Sequence, residues 1–181
     1  MSTKAVQQTS VELPEGVTAA LVGRTLTVKG KLGSTAKHFD KVNINIALEG
    51  ARVVLSPFSE KKKDNVIINT VLSLVNNMVT GVTKGYTYRL KVVFAHFPIS
   101  VKTKGDQILV ENFVGERSPR IAQIVGSCKV TIEGDDIIVK GVSLEDVGQT
   151  SANVELATKV RRKDQRIFLD GVYIYQKEEG W

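Results

Sequence analysis

An internal repeat constrains this chain more than any other feature. Leu13-Pro14-Glu15-Gly16-Val17 opens a segment that continues through Gly23, Leu26-Thr27-Val28 and Lys31-Leu32-Gly33. Phe97-Pro98-Ile99-Ser100-Val101 opens a second, continuing through Gly105, Leu109-Val110-Glu111 and Phe113-Val114-Gly115. The opening prolines stand 84 positions apart and the closing glycines 82. The match extends past these glycines. Val42-Asn43-Ile44-Asn45-Ile46 alternates with period two, turns at Glu49-Gly50 and returns as Arg52-Val53-Val54-Leu55, the pattern of a half-buried hairpin. Lys129-Val130-Thr131-Ile132, Gly134-Asp135-Asp136 and Ile137-Ile138-Val139 repeat it.

Each half then reads as a helix. Ile67, Val71, Leu74, Val75, Met78 and Val82 make one apolar stripe, with Asn69, Ser73, Asn76 and Asn77 outside it. In the second half Ser143-Leu144-Glu145-Asp146 has capping-box spacing, and Val147, Val154, Ala157 and Val160 continue one face. A helix with one apolar face must cover something, and the sheet is the available surface. The expected fold is therefore α+β: two tandem repeats of a small, mostly antiparallel sheet covered by one helix, with about four strands per copy. Gly81-Val82-Thr83-Lys84-Gly85 ends the first helix, and Tyr86 to Phe94 alternates as a new strand. This puts the boundary near Gly85, with domains 1–84 and 85–181.

Chemistry for catalysis is sparse. The two histidines, His38 and His96, neighbour Phe39 and Phe97 and read as packing or hydrogen-bonding residues. The lone Cys128 sits among apolar residues and forms neither a disulfide nor a paired-thiol metal site. No phosphate-binding or dinucleotide glycine loop and no paired-histidine zinc motif occurs. No run of about 18 apolar residues suggests a membrane span, and Met1 to Gln8 lack the apolar core of a secretion signal. The expected location is the cytoplasm.

Charge is more informative. Lys and Arg number 25 against 19 Asp and Glu, a net +6. The halves differ: residues 1–83 hold ten basic and six acidic residues, residues 84–181 fifteen and thirteen. The second half is nearly neutral, with its cations in patches. Lys159, Arg161, Arg162, Lys163 and Arg166 fall within eight positions beside one acid, Asp164. Guanidinium forks grip phosphate oxygens at two points, so this segment is a candidate anion site. Arg117-Ser118-Pro119-Arg120 places two arginines on a loop stiffened by proline. Lys84 and Arg89 flank Tyr86 and Tyr88 as a third cluster, and Lys61-Lys62-Lys63 reads as a solvated loop. Aromatics are 6%, without an aromatic pair on a central strand. Backbone and shape recognition of folded RNA fits this better than stacking on single strands.

Several blocks resemble a known family. They are Leu13-Pro14-Glu15-Gly16-Val17, Val28 to Gly33, Gly81 to Tyr86, Ala95-His96-Phe97-Pro98-Ile99, Asn112-Phe113-Val114-Gly115-Glu116, and Lys163 through Tyr173. Together they are similar to the large-subunit ribosomal protein numbered six in bacteria and nine in eukaryotes, and the last three to its archaeal and eukaryotic branch. The resemblance spans nearly the whole chain. It implies a structural constituent of the large ribosomal subunit that binds 23S-type rRNA, chiefly through the second domain. It also implies a position near the sarcin–ricin loop, where translation factors dock, beside neighbouring ribosomal proteins. It implies no enzymatic activity, no cofactor, no metal, no membrane and no obligate homo-oligomer. The rRNA-contact candidates are Arg117, Arg120, Lys159, Arg161, Arg162, Lys163, Arg166, Lys84 and Arg89. Two other readings stay open at this point: a non-ribosomal adaptor that binds protein through the duplicated module, and a hydrolase using His96 with Glu116 or Asp106.

Overall fold

A computed structural model describes residues 9–58, 62–95, 97–161, 163–164 and 166–181, with the side chains of 62–65 left aside. The segment from Met1 to Gln8, Lys61, His96 and Arg162 thus lie outside the described residues. The chain divides into two compact units, one ending at Lys84 and the other beginning at Gly85.

The first unit contains strands β1 (Thr9–Glu12), β2 (Thr18–Val22), β3 (Thr25–Lys29), β4 (Ser34–His38), β5 (Ile44–Glu49) and β6 (Arg52–Pro57), then helix α1 (Lys62–Thr83). They form two antiparallel three-stranded sheets, in the orders β1-β6-β5 and β2-β3-β4. The second unit repeats the order with β7 (Tyr86–Val93), β8 (Ser100–Lys104), β9 (Gln107–Glu111), β10 (Arg120–Gln123), β11 (Lys129–Glu133), β12 (Asp136–Gly141) and α2 (Leu144–Ala157), and adds β13 (Gly171–Glu179). Its sheets run β10-β9-β8 and β11-β12-β7-β13, again antiparallel throughout. The expected α+β repeat is therefore present, but each copy has two sheets and more strands than the expected four. Of the additional strands, β1, β4 and β10 are short and mostly polar, as in Ser34–His38, and carry no apolar run to announce them.

Burial follows the periodicities. Leu26 and Val28 on β3, and Val53 and Leu55 on β6, are fully buried beneath α1 residues Val71, Val75 and Val82. The helix turns its stripe slightly from the expected line: Ile68 is buried, while Ile67 and Leu74 are half-exposed. Val66–Thr83 is long and apolar enough to cross a membrane, with a mean hydropathy of 1.4. This departs from the expectation that no such segment exists. The helix nevertheless packs its buried stripe on its own sheets, as a core helix does. In the second unit one apolar cluster joins Leu90, Ile108, Val110, Phe113, Ile137, Val139, Val147, Val154 and Val172. Ser143 caps α2 by accepting from the Asp146 N–H at 3.3 Å, as its spacing implies.

The C-terminal stretch is more structured than its acidic residues suggest. β13 pairs with β7 along its length, with one bulge between Ile174 and Gln176. The Gly180 N–H donates to Gly85 O at 2.9 Å, and the Thr87 hydroxyl donates to Gly180 O at 2.6 Å. The Trp181 indole lies on Gly85, where a Cβ would collide with it, and Gly85 has φ +83°. Glycine is required there twice, by space and by backbone conformation. Trp181, which sequence reasoning leaves without a role, thus closes the sheet end.

Candidate nucleic-acid interface

The second unit differs from the first at two connections. β3 and β4 are joined by Gly30–Gly33, four residues, whereas β9 and β10 are joined by Asn112–Pro119, eight. α1 reaches β7 through Lys84 and Gly85 alone, whereas thirteen residues, Thr158–Asp170, separate α2 from β13. The first of these longer connections carries Arg117, with Arg120 opening β10 just after it, and the second carries Lys159, Arg161, Arg162, Lys163 and Arg166.

The β9–β10 connection starts in an unusual backbone. Asn112 (φ 58°) and Val114 (φ 51°) are both left-handed around the 3-10 turn Phe113–Gly115. Val114 is β-branched, so this conformation is strained and must be imposed by its surroundings. Asn112 donates from Nδ2 to Pro98 O at 3.0 Å, and Phe113 is buried in the core. The turn therefore fixes where the chain emerges, and Arg117 leaves it exposed.

Arg120 holds the two connections together. Its Nε and Nη2 donate to the Glu116 carboxylate at 2.8 and 2.6 Å. Its Nη1 donates to Ala157 O at 2.8 Å and Lys159 O at 3.3 Å, the carbonyls ending α2 and beginning the next segment. Its guanidinium also lies 4.6 Å from the Phe113 ring centroid, close enough for a cation–π contact. The hydrogen bonds from Arg120 hold the Glu116 carboxyl below the usual glutamate value, against a smaller opposing effect of burial; the charges of Arg120 and Lys163 lower it further. Reciprocally, Glu116 raises the Arg120 guanidinium. Arg120, expected to touch phosphate, is thus engaged within the chain and positions its neighbours.

The remaining candidates divide clearly. Arg117, Lys159 and Arg161 are exposed, and no hydrogen bond or ion pair ties their side chains to another described residue. The Lys163 ammonium sits 4.5 Å from the Phe168 ring centroid. Arg166 pairs with Asp164 at 3.0 Å and lowers that carboxyl, yet its side chain is 90% exposed. Arg162 lies outside the described residues. Arg89 stands apart: it pairs with Glu178 at 3.5 Å, and strand alternation turns it to the face opposite core residues Leu90 and Val92. Lys84 is exposed just past α1, in the first unit, its N–H bonded to Thr80 O. The Arg120 bridge therefore ties the loop that carries Arg117 to Ala157 and Lys159, at the start of the second cationic segment, whereas Arg89 pairs on the sheet with Glu178. Sequence reasoning missed the joint made by Glu116, Phe113 and Arg120. Its one visible sign is an acid four residues before an arginine.

The sequence pattern of the family described as ribosomal protein L6 matches this chain twice, at residues 13–85 and 97–171. The chain belongs to the ribosomal protein L6 family. Among its relatives, the large ribosomal subunit protein uL6 of Methanobrevibacter smithii is 44% identical, over 93% of this chain and 94% of its own. The proteins of the same name from Aeropyrum pernix and Saccharolobus solfataricus are 43% and 42% identical, each over 93% of both chains. As an L6-family member it is a structural, non-enzymatic protein of the large ribosomal subunit, at work on the cytoplasmic ribosome in association with rRNA and other ribosomal proteins. The hydrolase and the non-ribosomal adaptor readings end there. The two family matches also coincide with the two copies of the strand order, so the repeat seen in sequence is the family's own.

Proposed function

We propose that the second unit carries the main rRNA-binding surface, and that it grips 23S-type rRNA near the translation-factor-binding region by the sarcin–ricin loop. Arg117, Lys159, Arg161, Lys163 and Arg166 neutralise backbone phosphates, with Arg162 in the same run. Arg120 holds the two cationic segments at fixed spacing. The observation that carries this reading is the Arg120 bridge from Glu116 to the carbonyls of Ala157 and Lys159. It joins two separate cationic stretches into one surface. Family membership supports rRNA as the polyanion, and the family resemblance supports the factor-binding region.

Phosphate contacts release counterions, so each contributes about one unit to the slope of log affinity against log salt. The double variant R117E/R161E is expected to bind a large-subunit rRNA transcript at least tenfold more weakly, with a slope shallower by about two, and to melt like the parent. Unchanged affinity and slope would remove these two residues from the interface. Chemical footprints of the bound transcript away from the sarcin–ricin region would overturn the proposed location.

A further inference from the structure

A cleft of about 360 Å³ opens beside the cationic segment, between the C-terminal turn of α2 and the start of β13. We infer that this cleft takes one unpaired base of the bound rRNA; the inference rests on the reading of the second unit as the rRNA-binding one. Its volume lies at the low end of the roughly 300–1,000 Å³ range of small-molecule sites. Its lining is mixed: Leu156, Phe168 and Val172 form an apolar part, with Tyr173 at one side, and Glu155, Thr158 and Lys159 a polar one. Leu156 and Tyr173 are 58% and 44% exposed, so the surface is open to an incoming group.

Charge selects the occupant. Lys159 lines the cleft without a hydrogen-bond or ion-pair partner for its ammonium among the described residues. The Lys163 ammonium stands over Phe168, another wall. The mouth therefore offers cations to a phosphate at the point where the interior offers apolar surface to a ring. A nucleotide of a loop or bulge has both parts, and recognition of unpaired RNA bases runs through such stacking. Glu155, also lining the cleft, supplies an acceptor for a base amino group. Thr158, Lys159, Val160 and Phe168, which line this cleft, belong to a connection of thirteen residues whose counterpart after α1 is Lys84–Gly85 alone. The cleft thus belongs to the unit that carries the grouped cations. It also adds to the sequence-based preference for backbone and shape recognition over stacking: one base is held within a mainly backbone-reading surface.

The test uses the full chain, a large-subunit rRNA transcript, and two variants. Leu156→Trp fills the cleft from an exposed position, and Phe168→Leu removes its ring without adding charge. Both are expected to weaken binding, the first about tenfold, as the loss of one stacked base does. Neither should alter the salt slope, because no phosphate contact is removed. Probing the bound transcript base by base should show one unpaired nucleotide protected by the parent and reactive with Leu156→Trp. Parental affinity in both variants, or no nucleotide changing reactivity, would overturn the base site while leaving the phosphate surface standing. Parental affinity for transcript with poor incorporation into subunits would overturn it in favour of a protein side chain in the cleft. If the parent binds no transcript at all, the proposed function and this site fall together.

Discussion

The two copies solve the same joint differently. In the first unit the β3–β4 connection lies directly on the end of α1: the Leu32 N–H donates to Val82 O at 3.1 Å. Gly30 is packed so closely there that a Cβ would stand 2.7 Å from that same carbonyl oxygen. In the second unit the corresponding connection is twice as long, and α2 is followed by the thirteen residues Thr158–Asp170 rather than a short step to a strand. The backbone bond is replaced by an arginine, which reaches from β10 to the carbonyls of Ala157 and Lys159. A close glycine contact leaves no room for displayed side chains. A guanidinium bridge fixes two longer loops and leaves their cations on the outside. One scaffold thus closes the same joint in two ways, tight in the first unit and open in the second.

The largest effect expected from breaking this contrast is in the first unit. Gly30→Val drives a branched side chain into the Val82 backbone, and overpacking of this kind costs roughly 2–3 kcal/mol. Denaturant unfolding should show the loss in the first unit, with affinity for the rRNA transcript within about twofold of the parent. A large loss of affinity would mean that the first unit takes part in binding. Next in size is Arg120→Ala. It leaves Glu116 and two carbonyls without their donor, at a cost of about 1–2 kcal/mol for a partly exposed group. It should also weaken rRNA binding about fivefold while leaving the salt slope close to that of the parent, because Arg120 positions cations without itself meeting phosphate. A slope reduced by a full unit would make Arg120 a direct phosphate contact after all.

How much of this was legible in the sequence depends on distance along the chain. The β5–β6 and β11–β12 hairpins are local, and alternation around Glu49-Gly50 and Gly134-Asp135 exposed them. The cap at Ser143 is local as well. β13 escaped because its bulge between Ile174 and Gln176 breaks the alternation, and because Tyr173, Tyr175 and Lys177 face outward. The stripe of α2 could be followed to Val160, but the helix stops at Ala157; Thr158 caps it and its hydroxyl accepts from the Val172 N–H at 3.0 Å. The basic patches were visible as composition. Which arginines remain open to a partner was not. Arg120 finds its carbonyls 37 and 39 residues away, and the one local sign that sets it apart from Arg117, Glu116 four positions before it, does not reveal them.

The smallest predicted effect separates charge from shape at the second joint. Glu116 accepts two hydrogen bonds from Arg120, and its carboxyl is lowered in the folded protein. A carboxylate lowered on folding stabilises the native state above its unfolded value, about 4.3, and that contribution vanishes as pH falls through the folded value. Glu116→Gln removes the charge at every pH. The melting temperature of the parent should therefore exceed that of the variant most at neutral pH. The gap should close as the solution is taken below about pH 4, and it should be modest throughout, under about 1 kcal/mol, because the pair is partly exposed to water. Calorimetry across a pH series measures it. The first unit supplies the control: the Leu32–Val82 bond joins two backbone groups that do not titrate, so the deficit of Gly30→Val should stay level across the same series. A gap for Glu116→Gln that also stays level would mean that Glu116 supports Arg120 by filling space. The second joint would then be as insensitive to charge as the first, and the contrast between them would fail.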